Sequence, residues 1–125
     1  LFTGGCGRVF EGTPQQMCDS LDKIMQLPDD TLIYCGHEYT QNNLRFAETV
    51  EPDNLVLQQR IEEVAEKRKK NEVTVPSTLS LEKATNPFLR CQEKTVVNSA
   101  EIYANAKLEN RVDVFANLRA WKNVF

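Results

Sequence analysis

Apolar residues recur at helical spacing along most of this chain, and crowd into a strand-like run only once. Met17, Leu21, Ile24 and Met25 fall at i, i+4, i+7 and i+8, which places them on one face of a helix. The segment Thr13-Pro14-Gln15-Gln16 supplies its start, with Thr13 as N-cap, Pro14 at the first helical position and Gln16 closing a capping box. Pro28 bars continuation. Thr31 to Cys35 is short, β-rich and nearly continuously apolar, which predicts a buried strand. Gly36 ends it, so His37 stands at the strand's C-terminal end, on the loop into the next helix, where a rigid element can position a reactive side chain.

From Thr40 onward the pattern is helical. Leu44, Ala47 and Val50 mark a helix stopped before Pro52, and Leu57, Ile61, Val64 and Ala65 mark the next. Lys67 to Lys70 crowd the C-terminal end of that second helix, where cations complement the macrodipole and solvate an exposed face. Residues 74–87 read as a long ordered loop with one turn of helix around Ser80 to Ala84. Ser99 is placed to cap a helix carrying Ile102, Tyr103 and Ala106. A last helix from about Val112 sets Val114, Leu118, Trp121 and Phe125 on one face, with Arg119 and Lys122 projecting together from the other side. Such a pair suits an ordinary exposed face or a clamp for carboxylates. Gly4, Gly5 and Gly7 open a loop whose backbone can take positive φ or approach a ligand closely, without the spacing of a phosphate loop. Together these elements predict a small α/β portion followed by helices.

Composition narrows the function classes. A formal charge of −3 over 125 residues provides no general basic field, so neither nucleic acid nor an anionic membrane is an expected partner. No window reaches the roughly 18 apolar residues of a membrane span, and the first residues lack a leader's basic and apolar regions. Cys6, Cys18, Cys35 and Cys91 form no Cys-x-x-Cys pair and read as buried thiols of a reducing compartment. His37 is the single histidine, so it cannot assemble a metal centre or a base with an orienting partner from its own kind. The opening Leu1-Phe2-Thr3, running straight into glycines, suggests the tail of a longer protein.

Several blocks occur together in a familiar order: GGCGRVFEGT from Gly4, YCGHEYTQNNLRFA from Tyr34, VEPDN from Val50, TVPSTLSLE from Thr74, NPFLR from Asn86 and LRAWKNVF from Leu118. Over essentially the whole chain they resemble the C-terminal half of the glyoxalase II, or hydroxyacylglutathione hydrolase, family. The resemblance implies an α/β fold class: residues 1–40 as the C-terminal portion of a metallo-β-lactamase αββα fold, and residues 41–125 as a mainly α-helical, glutathione-binding domain. It implies a thioesterase that hydrolyses S-D-lactoylglutathione to D-lactate and glutathione in methylglyoxal detoxification. The reaction would use two zinc ions, or iron or manganese, which lower the pKa of a bridging water and polarise the thioester oxygen.

Carried over position by position, His37 matches the family's last histidine ligand to metal. Arg8 matches a basic residue that contacts substrate, Tyr39 a tyrosine that hydrogen-bonds glutathione, and Arg119 and Lys122 the terminal pair that binds the glycine carboxylate. Phe10 stands where many members have tyrosine; losing that hydroxyl removes about 0.5–1.5 kcal/mol of binding. The family's remaining metal ligands match nothing in this chain, which leads to the expectation that the 125 residues alone lack most ligands and are inactive. A truncated, non-catalytic helical module that binds glutathione or a protein partner is the alternative. For the complete enzyme the resemblance implies a monomer in the cytoplasm, with a mitochondrial location left open.

Overall fold

Thr13 does what its sequence context predicts. Its hydroxyl accepts from Gln16 N while the Gln16 side chain returns a bond to Thr13 N, and helix α1 runs Pro14–Met25 from that capping box. The computed structural model describes all 125 residues, and the chain is mainly helical. After α1 come strand β1 (Leu32–Ile33), α2 (Thr40–Val50), α3 (Leu55–Lys69), strand β2 (Ser77–Thr78), α4 (Leu79–Thr85), a 3-10 turn (Pro87–Leu89), α5 (Lys94–Ala104) and α6 (Arg111–Val124). Asn54, Thr78 and Asn110 cap α3, α4 and α6 with side-chain oxygens.

The expected buried strand is corrected. β1 has only two residues and pairs antiparallel with β2 alone, Leu32 opposite Thr78 and Ile33 opposite Ser77. Leu32 is 52% exposed and Tyr34 72% exposed, because a two-stranded ribbon has no second layer to cover both its faces. The αββα part of the anticipated fold is therefore not among these residues. The ribbon's role is local: Leu79 N donates to Thr31 O and Ser80 N to Asp29 O, which ties the turn before β1 to the start of α4.

Residues 74–87 are also more regular than predicted, since β2 and α4 occupy most of the segment. Ser99 is not a cap. It lies inside α5, and its hydroxyl donates to Val50 O at 2.6 Å; the helix starts at Lys94, with Glu93 as its N-cap, and leaves Ile102 and Ala106 exposed. Of the cysteines, Cys6, Cys18 and Cys91 are buried but Cys35 is only half-buried.

The larger core joins Cys6, Cys18 and Leu21 to Phe46 and Val50 of α2, Phe88 of the 3-10 turn, Val96 and Ala100 of α5, and Val114, Phe115 and Leu118 of α6. Phe46 and Phe115 are fully buried, each contributing about 1.5–3 kcal/mol. Phe46 also receives the edges of Trp121 and Phe125, which keeps the end of α6 against α2 even though Phe125 is itself exposed. A smaller cluster of Leu44, Ala47, Leu57 and Val64 joins α2 to α3. These two clusters fix α2 between the glycine loop and the remaining helices.

Candidate functional site

Residues 3–7 are held from several sides. Glu82 Oε1 accepts from Gly4 N at 2.8 Å, Asn86 Nδ2 donates to Gly5 O at 3.0 Å, and Asn43 Nδ2 donates to Thr3 O at 3.0 Å. From α6, Arg119 Nη1 donates to Cys6 O at 2.6 Å. The loop lies so close to α2 that side chains would not fit: a Cβ on Gly4 would come within 2.8 Å of Leu44, and one on Gly5 within 2.8 Å of the Asn43 amide. Gly4 also has φ +73°, a conformation that glycine adopts at no steric cost.

The loop forms one wall of a pocket of about 740 Å³. All six residues that the sequence nominated, Arg8, Phe10, His37, Tyr39, Arg119 and Lys122, line it. They come from the glycine loop, the segment before α2, and α6, so chain topology alone brings them together. Arg8 and the 86%-exposed Phe10 sit at the rim. His37 is exposed and its ring stacks on Tyr39 with centroids 4.8 Å apart and planes 10° from parallel, while Phe2 packs 5.3 Å from the Tyr39 ring. The neighbouring Glu38 anchors this segment: its carboxylate accepts from Thr74 N at 2.6 Å and from the Thr74 hydroxyl. Burial pushes the Glu38 carboxyl up, but the Thr74 hydrogen bonds outweigh it and hold it below its ordinary value.

The predicted pair on α6 is corrected in its exposure. Arg119 is buried, 7% exposed, because its guanidinium clamps the loop carbonyls of Cys6 and Gly7 and lies 5.2 Å over the Phe88 ring. Its Nε is buried without a partner. Lys122 is half-buried and donates to Asn43 Oδ1 at 2.6 Å. Burial, then the nearby Arg119 charge, lowers its pKa, with Arg8 adding to the effect.

Sequence reasoning missed Phe2, Cys6, Asn42, Asn43, Arg45 and Phe125, which together with Gly7 of the glycine loop complete the lining. Asn43 had a signal: it shares a helical stripe with Ala47 and Val50, and a polar residue on an apolar stripe implies a buried hydrogen-bonding role. Arg45 had none, since it reads as an ordinary surface charge. A second, smaller cavity beside the Arg111–Asp22 ion pair contains none of the nominated residues.

The residues of this chain do not by themselves fit a metal. His37 is the sole imidazole, and no three His, Cys, Asp or Glu side chains converge anywhere. No helix is long and apolar enough to cross a membrane.

A family model described as "Hydroxyacylglutathione hydrolase C-terminus" matches residues 38–125. Curated proteins named hydroxyacylglutathione hydrolase align with all of the chain: 58% identity with that of Aeromonas salmonicida over 49% of its length, and 54% with that of Pseudomonas savastanoi over 48%. The protein of that name from Synechococcus is 55% identical over 46% of its length. The chain thus spans about half the length of the curated relatives it matches.

Proposed function

The chain belongs to the hydroxyacylglutathione hydrolase family, and from that premise we propose that its pocket seats the glutathione half of a glutathione thioester. The observation that supports this most directly is the meeting of Arg8, Tyr39, Arg119 and Lys122, far apart in sequence, on one wall system. No acidic side chain lines the pocket, while Arg8, Arg45, Arg119 and Lys122 all do. A net-acidic chain that gathers cations in a single cleft is suited to an anionic ligand, and glutathione presents two carboxylates. About 740 Å³ is ample for a tripeptide. The rings of Phe2, His37 and Tyr39 offer an apolar side for the thioester end.

In a polypeptide of the relatives' full length, the reading is hydrolysis of S-D-lactoylglutathione to D-lactate and glutathione. There His37 would give one nitrogen to a zinc, iron or manganese ion, whose other ligands are not among these residues. For the 125 residues by themselves the reading is binding without turnover, because a single imidazole does not make a metal centre.

Calorimetric titration of this chain with glutathione tests the assignment. Binding should weaken at least fivefold in Lys122→Met and further in the Arg8→Gln, Lys122→Met double variant. Equal affinity for glutathione and its dimethyl ester, or an unchanged affinity in the double variant, would show that the cations do not hold carboxylates.

A further inference from the structure

The pocket's cations are divided between two helices. Arg119 and Lys122 lie one turn apart on α6 and line the pocket together with Arg8, so these three form one positive centre. Arg45 stands on α2 and lines the same pocket. Two adjacent asparagines hold the two centres: Asn43 Oδ1 accepts from Lys122 Nζ at 2.6 Å, and Asn42 Oδ1 accepts from Arg45 Nη1 at 3.1 Å. Neighbouring positions on a helix point about 100° apart, so the asparagine pair directs the two cations to different parts of the pocket.

We infer that Arg45 and Asn42 form a second recognition site, which takes the α-amino-acid head of the γ-glutamyl residue while the Lys122 centre takes the opposite carboxylate. The inference rests on the glutathione reading above and adds the residue that distinguishes this ligand's far end. The two carboxylates of the tripeptide lie at its two ends, about 10 Å apart in an extended chain, so one centre cannot hold both. Arg45 makes no ion pair and has Asn42 as its only side-chain partner. Its remaining N–H groups are free for a carboxylate, in the planar fork that suits one. Asn42 Oδ1 keeps a second lone pair, so it can accept from the ammonium that neighbours that carboxylate. A guanidinium and an amide oxygen 3.1 Å apart thus match both charges of an amino-acid head.

The test is a cycle of protein and ligand changes, read by calorimetry on the full 125-residue chain. The ligands are glutathione and 4-aminobutyryl-cysteinylglycine, which lacks only the γ-glutamyl α-carboxylate. Arg45→Gln should weaken glutathione about two- to fivefold, the range of an exposed ion pair, and leave the analogue unchanged; Arg45→Lys should fall between. Lys122→Met should weaken both ligands, since both keep the glycine carboxylate. If Arg45→Gln weakens both ligands equally, or neither, while Lys122→Met keeps its effect, the second site is refuted and the pocket assignment stands. If wild type binds neither ligand, the pocket assignment and this inference fall together.

Discussion

Asn43 connects the glycine loop to the pocket's central cation, and Asn43→Ala shows what that connection is worth. The substitution strips the buried Thr3 carbonyl of its donor and the Lys122 ammonium of its acceptor. An unsatisfied buried carbonyl costs about 1–3 kcal/mol, and a charge-assisted bond contributes about 1.5–3 kcal/mol. The second figure is roughly halved here, because half-buried Lys122 can turn toward water. The sum is about 2–4 kcal/mol, a large share of the 5–15 kcal/mol typical of a domain. With a urea m-value of about 2 kcal/mol/M, the denaturation midpoint should fall by about 1–2 M.

Asn43→Asp separates the two bonds. It restores an acceptor for Lys122, now as an ion pair, but has no donor for Thr3 O and sets a carboxylate against that carbonyl. Its stability should therefore fall with the alanine variant, and glutathione should bind more weakly because Lys122 is neutralised from within the protein. Gly5 supplies a cross-check: a methyl there would meet the Asn43 amide at 2.8 Å, so Gly5→Ala should cost clearly less in the Asn43→Ala background than in wild type. A midpoint shift below about 0.3 M for Asn43→Ala, or additive effects in the Gly5 cycle, would refute this account of the loop.

Burial pushes the Glu51 carboxyl up, but hydrogen bonds from Arg90 and Thr95 outweigh it and hold it below its ordinary 4.5. Its contribution to stability is therefore complete above pH 4.5 and lost as pH falls through the lower folded value; urea denaturation from pH 3 to 7 should show the advantage of wild type over Glu51→Gln shrinking below pH 4.5, and a constant difference would contradict the linkage. Thiol titration with an aromatic disulfide should find one fast cysteine, half-buried Cys35, because burial shields Cys6, Cys18 and Cys91 and pushes their thiols up. A second fast thiol in the native protein would mean that the main core opens readily.

Periodicity was a reliable guide where a helix has one dry and one wet face. Met17 and Leu21 in α1, Leu44, Ala47 and Val50 in α2, and Leu57 and Val64 in α3 all turn the predicted way. It misled at Thr31–Cys35, since an apolar run signals burial only when a layer exists to cover it. It also misled at Ser99, because a hydroxyl can satisfy a neighbouring helix's carbonyl as well as cap its own. Arg119 is the instructive site residue. Its spacing to Lys122 was visible, but its burial depends on carbonyls 112 and 113 positions away, and no local pattern encodes that. The resemblance to a family nominated six residues that line one pocket; it carried no indication that Asn42 and Asn43 hydrogen-bond two of the pocket's cations.

Residues 3–7, which lead into Arg8 and Phe10, cannot be regarded as a flexible strap that moves independently of the helices. Their backbone groups are served by Asn43 from α2, Glu82 from α4, Asn86 just beyond it and Arg119 from α6. Glu82 is the key to this arrangement. It is 1% exposed and has no cationic partner, yet its oxygens accept from Gly4 N, Asn86 Nδ2 and the Ser77 hydroxyl. A buried carboxylate is tolerated only when so saturated with donors, which means that Glu82 requires the loop in place as much as the loop requires Glu82. Because the same loop supplies the carbonyls that occupy Arg119, displacing it would take one of three donors from a buried carboxylate and both hydrogen-bond acceptors from a buried guanidinium at once. The pocket's positive wall and the packing of the helices therefore form and fail together.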